Sequence, residues 1–154
     1  MNNLWNTAEA VQFEKSPLDL RVYTSRLLGK DPSLVLHGGG NTSVKIKEPD
    51  FFGETGHYLY VKGSGWDLAT IERAGFAAVK MDVLLKMAKL SKLSDSDMVK
   101  YQKAAMTDPG MPAPSVEAIL HAIIPYVFVD HTHADAVVAV TNSPGGGEAI
   151  QNIL

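Results

Sequence analysis

Two histidines, a glutamate and two glycine-rich loops are the residues of this chain with chemistry to offer. His131 and His133 lie in the stretch Phe128-Val-Asp-His-Thr-His-Ala-Asp135. On an extended strand alternate side chains share a face, so both imidazoles aim at one point and Thr132 turns away. The Tyr126-Val-Phe-Val129 run before them favours a strand over a helix. Two imidazoles so placed suit a divalent transition metal, zinc above all. Glu117, in Pro114-Ser-Val-Glu-Ala-Ile-Leu-His121, is expected in the first turn of the helix that feeds this strand. Carboxylates favour helix N-termini for electrostatic reasons alone, yet from there Glu117 could also serve the histidine pair as metal ligand or general base. His121 follows four residues later on the same helix face. It either backs the site or is a surface histidine of the helix, the simpler expectation.

The loops Gly38-Gly-Gly-Asn41 and Gly63-Ser-Gly65 could each present backbone amides to a phosphate. Ser115, at the expected helix N-terminus, makes a third arm of such a cradle. Glycine clusters are often plain turns, so only the combination of the three points to a phosphate. Lys62 could add charge, but its alternation with its neighbours reads as an ordinary strand-edge lysine. Two rival motifs fail. His37-Gly-Gly-Gly40 is like the oxyanion loop of α/β-hydrolases, but Ser64 is flanked by Lys62 and Trp66 where a nucleophile elbow needs glycines. Neither loop supplies the Gly-x-Gly-x-x-Gly of a dinucleotide site.

The elements that must position these residues are legible in part. Ser16-Pro17 reads as an N-cap and first helical residue, opening a helix to about Leu28, with Gly29 as its stop and Leu20, Tyr23 and Leu27 as its buried stripe. Val44–Lys47 and His57–Lys62 alternate like half-buried strands, joined as a hairpin by Phe51–Gly56. Phe76–Val79 is a third strand, after which Asp82 caps a helix through Leu90. Ser94 to about Met106 is a polar, exposed helix, Thr107–Ala113 a loop, and Pro114-Ser115 the start of a helix to about Ile124. Ala134–Val140 is helix or strand, since periodicity alone does not decide it. Strands and helices mixed in this order favour a largely antiparallel α/β fold over a doubly wound one.

Composition narrows the function classes. A chain of 154 residues with 45% hydrophobic and 20% charged residues reads as one globular domain. A net charge of −3 offers no footprint for nucleic acid or an anionic membrane. With no cysteine, any metal must take nitrogen and oxygen ligands. The N-terminus lacks the pattern of a signal peptide and no apolar run is long enough to span a bilayer, so a cytoplasmic location is expected.

The segments Leu36-His-Gly-Gly-Gly-Asn-Thr-Ser-Val44, Val61-Lys-Gly-Ser-Gly-Trp-Asp-Leu68, Pro114–His121 and Val129–Asp135, in this order, resemble the class II aldolase/adducin family. The wording is closest to the aldolase half of bifunctional rhamnulose-1-phosphate aldolase/short-chain dehydrogenase proteins. The resemblance implies an α/β fold with a central, mainly antiparallel sheet flanked by helices, assembled as a homotetramer. It implies zinc-dependent retro-aldol cleavage of a ketose 1-phosphate, L-rhamnulose 1-phosphate, to dihydroxyacetone phosphate and lactaldehyde. His131 and His133 would then be zinc ligands and Glu117 the catalytic glutamate. Gly40, Asn41, Ser64, Gly65 and Ser115 would hold the substrate phosphate. An epimerase of the same family acting on a pentulose phosphate, or a non-catalytic adducin-like interaction module, is the alternative. The family's third zinc histidine lies well downstream, and no histidine follows His133. Val116 also stands where sugar-phosphate aldolases carry a second serine. The chain is therefore expected to be the N-terminal portion of one such domain, truncated and catalytically impaired by itself, with NAD needed only by a dehydrogenase half beyond it.

Overall fold

The computed structural model describes residues 2–153. Four antiparallel strands form one sheet in the order β3-β2-β1-β4, with β1 at Asn41–Pro49, β2 at Thr55–Lys62, β3 at Phe76–Lys80 and β4 at Phe128–His131. The expected α/β class with a mainly antiparallel sheet and flanking helices is what the chain adopts. The β1–β2 hairpin runs in unbroken register from Ser43↔Val61 to Pro49↔Thr55. Strand β4 is the last to join in sequence and pairs only with the first half of β1, placing His131 opposite Asn41.

Alternation along β1 sorts the two layers. Val44, with Leu18 and Val22 of helix α2 (Pro17–Gly29) and with Phe76, Leu68 and Ile71, fills one core. Leu59, Val61 and Val79 face the other way, against Met81 and Leu84 of α3 (Met81–Met87) and Ala118 and Ala122 of α5 (Ala118–Ile123). Asn41, Ser43 and Lys45 pair with or neighbour Val61 and Leu59 in register, so they too face α5. The remaining helices are α1 (Thr7–Ala10), α4 (Asp95–Ala104), α6 (Asp135–Thr141) and α7 (Gly146–Gln151). None among the described residues is long and apolar enough to cross a membrane.

Several local expectations need correction. Helix α2 has the expected cap, Ser16 Oγ accepting from Asp19 N at 3.2 Å, and the expected Tyr23, but Leu20 and Leu27 are only half-buried. Its inward face is Leu18, Arg21, Val22 and Ser25. The two polar members are tolerated there because they are bonded: Ser25 Oγ to Thr42 Oγ1 at 2.8 Å, and Arg21 to Asp130 at 2.7 Å. Asp82 does not cap α3, which begins directly from β3, has Lys80 at its cap position and stops at Met87. Asp82 instead pairs with Lys86 one turn on, at 3.2 Å. The helix expected at Pro114-Ser115 starts only at Ala118, because the backbone before it is used otherwise: Gly63 bridges to Pro114 and Ser115 N donates to the Lys62 carbonyl at 3.3 Å. The Ala134–Val140 ambiguity resolves to helix.

Candidate functional site

Glu117 occupies the N-cap position of α5, its amide donating to Ser115 Oγ at 3.3 Å. Its carboxylate is gripped on both oxygens. Asn41 Nδ2 donates to Oε2 at 2.9 Å, and His131 Nδ1 lies 2.8 Å from Oε1. Because Asn41 and His131 are cross-strand partners, the two contacts come from one rung of the β1–β4 ladder. Burial pushes the Glu117 carboxyl up, but the Asn41 amide and then His131 outweigh it and hold it below its ordinary value. The group is therefore a carboxylate at neutral pH.

The histidine pair converges as its spacing implies, though by a different route. Strand β4 ends at His131, and His133 lies beyond it, tied back by its own amide to the Leu34 carbonyl at 2.8 Å. The two ring centroids are 4.8 Å apart with the planes at 61°. His131 Nδ1 is buried and, despite its closeness to Glu117, is not aligned to share a hydrogen along that line. Two imidazoles and a carboxylate fit zinc in kind. Among the described residues, however, no three His, Asp or Glu side chains converge closely enough to hold a metal ion as they stand.

The loop residues meet beside this trio. Gly40 has a left-handed φ of +68°, and a Cβ there would come within 2.5 Å of Val35 Cγ1 and 3.0 Å of the His131 carbonyl. Only glycine lets the first loop pass so close to β4. Ser64 and Gly65 lie exposed in the turn after β2, Gly65 with a φ of +85°. Ser64 N donates to the Ala113 carbonyl at 3.0 Å, which joins this turn to the segment carrying Ser115. Ser115 Oγ points at its own neighbour Glu117, 3.5 Å from Oε2.

Two residues of the site escape the sequence reading. Lys62 is not a strand-edge lysine: it is 4% exposed, and its ammonium donates to the Gly38 carbonyl at 3.0 Å, tying the two glycine loops together. Burial pushes its pKa down, with Glu117 and Asp67 pulling it back up. His121 is not a surface histidine either. It is fully buried, with Nδ1 sharing a 2.8 Å hydrogen bond with Ser43 Oγ. The one signal available in sequence was its place four residues after Glu117, on the same helix face.

Comparison with known proteins agrees with this arrangement. A Bacillus subtilis (strain 168) protein named "Uncharacterized oxidoreductase YuxG" is 39% identical over 153 residues, which is 99% of this chain but 22% of that protein. The chain thus spans about a fifth of the length of this curated relative. A solved structure, the N-terminal class II aldolase domain of a conserved protein from Thermoplasma acidophilum, superimposes with a TM-score of 0.89 at 47% identity, covering 100% of this chain and 70% of that one. The sequence model of the "Class II Aldolase and Adducin N-terminal domain" family matches residues 20–153. With the sheet, the loops and the Glu117–His131 contact in place, the chain belongs to the class II aldolase and adducin N-terminal domain family.

Proposed function

We propose that this domain serves a zinc-dependent aldolase that cleaves a ketose 1-phosphate, L-rhamnulose 1-phosphate, to dihydroxyacetone phosphate and lactaldehyde. The observation that carries the reading is the ionised Glu117 carboxylate held between Asn41 and His131, with His133 alongside. An interaction module has no use for a half-buried carboxylate set against an imidazole, with a second imidazole beside the first. When bound at His131 and His133, zinc supplies the Lewis acidity that draws charge from the carbonyl side of the breaking bond. Glu117 handles the proton at C3, taking it in the condensation direction and returning it during cleavage. The loop segments Gly40-Asn41 and Ser64-Gly65 and the Ser115 hydroxyl receive the phosphate, with the Lys62 ammonium adding positive charge beneath the loops. Binding energy remote from C3–C4 then fixes the orientation of the reacting carbons.

The Bacillus relative is named an oxidoreductase and is matched over only 22% of its length, which agrees with an aldolase half joined to a dehydrogenase half that would use NAD. A cytoplasmic homo-oligomer is part of the same proposal. Its support is the exposed apolar run of Val116, Leu120, Ile123, Tyr126 and Val127 beside the site, since apolar surface of this kind marks association. Lactaldehyde release from L-rhamnulose 1-phosphate by the full-length protein, followed with and without chelator, tests the proposal. Release that stops with chelator and returns with zinc is expected. Cleavage insensitive to chelator removes the zinc chemistry, and conversion of ribulose 5-phosphate without lactaldehyde release replaces the aldolase by an epimerase.

A further inference from the structure

Three side chains of β1, all on the face toward α5, each hold a different level of that helix. Asn41 donates to the Glu117 carboxylate at 2.9 Å, Ser43 shares its 2.8 Å bond with His121, and Lys45 donates to the carbonyls of Ile124 and Tyr126 at the other end. Alternate strand residues are spaced about 6.6–6.8 Å apart. Steps of four and three helical residues rise about 6 Å and about 4.5 Å. The two ladders agree over three rungs only when α5 lies along β1 at one particular rotation.

Helix α5 cannot set that rotation by itself. It has six residues, no side-chain cap at Glu117, and is far shorter than an independently stable helix. A slip by one residue would turn its face by about 100° and carry Glu117 away from His131. The middle rung is the deepest: His121 and Ser43 are both 0% exposed, and His121 Nε2 has no partner. Leaving a buried ring nitrogen unpaired costs stability that a leucine in the same space would not. What the histidine provides instead is its one bond to β1.

We propose that His121, through Ser43, is the positioning residue for Glu117. The rung between them fixes α5 at the rotation that brings the carboxylate to Asn41 and His131 together. Its catalytic consequence rests on the aldolase reading, but the positioning does not.

The Asn41 side-chain amide reports on the outcome directly, because one of its protons is bonded to Glu117. Its resonances are to be followed by NMR in the wild-type, Ser43→Ala, His121→Leu and His121→Asn chains, with circular dichroism checking the fold. The wild type is expected to show one amide proton shifted downfield and slow to exchange. That signature is expected to be lost in Ser43→Ala and His121→Leu, and restored in His121→Asn, whose amide can reach Ser43. Folded Ser43→Ala and His121→Leu chains that keep it unchanged overturn the proposal. If His121→Leu does not fold, Ser43→Ala decides alone, since it removes a single oxygen. In the cleavage assay the same substitutions, made in the full-length protein, should lower kcat about tenfold or more at unchanged KM; a raised KM at unchanged kcat overturns the catalytic consequence. A wild-type chain with the protected amide, together with a full-length protein that shows no cleavage, counts against the aldolase reading and supports the positioning.

Discussion

Asn41 and His131 face each other across the β1–β4 ladder, and both reach the carboxylate of Glu117, at 2.9 Å and 2.8 Å. The site is thus built where the last strand closes on the first, rather than within any one sequence motif. Its geometry depends on a pairing of only four residues, Asn41 to Val44 against Phe128 to His131. Changes that loosen this pairing should disturb the site before they unfold the domain.

Glu117→Gln keeps the size of the side chain and removes its charge. On the aldolase reading kcat falls by about 10²–10⁴, the usual worth of a positioned acid–base group, with KM for the sugar phosphate nearly unchanged. Steady-state kinetics on the zinc-loaded enzyme measures it. A variant with wild-type kcat rules out the proposed proton transfer.

Asn41→Asp sets a second carboxylate against Glu117 where an amide now donates. Like charges at that distance disfavour the doubly ionised pair, and loss of a bond to a charged group adds to the cost. Unfolding by urea at pH 7 should show a loss of about 2–3 kcal/mol relative to wild type. The deficit should shrink at pH 5, where one of the two carboxyls takes a proton.

Gly40→Ala meets both a φ of +68° and a Cβ position 2.5 Å from Val35 Cγ1. The strained backbone costs more than about 1 kcal/mol, and the clash adds to it unless Val35 moves. Thermal unfolding measures the loss. Gly38→Ala, where a Cβ meets nothing within 4 Å, is the matched control and should change little.

Stability should fall as the medium is acidified through the histidine range. Burial pushes His121 down from 6.5 to about 4, so it stays neutral in the folded state while the unfolded chain takes up a proton below about 6.5. The unfolded state then binds more protons, and stability rises with pH across that window. The contribution is complete above about pH 6.5 and is lost as pH falls toward about 4, on the order of 3 kcal/mol. Urea unfolding at stepped pH measures it, and a folded His121→Leu chain should show a flatter profile between those limits.

The sequence by itself determined the ingredients. Ser16-Pro17 carried the start of α2, the alternation in His57–Lys62 carried a strand, and the glycine loops, Glu117, His131 and His133 stood out by type and spacing. These signals are local: a cap, a period of two, a glycine where the backbone must turn left-handed. The tertiary structure decided which polar residues go inside. Arg21, Ser25, Lys62 and His121 look like surface residues in any window of sequence, yet all are buried. Each owes its place to partners distant in the chain: Asp130 for Arg21, Thr42 for Ser25, Gly38 for Lys62 and Ser43 for His121. The cost of burying a polar group is offset only by its hydrogen bond, and that bond exists only once the strands have paired. The same reason applies to Glu117, which the sequence could name but only the β1–β4 pairing could place between Asn41 and His131.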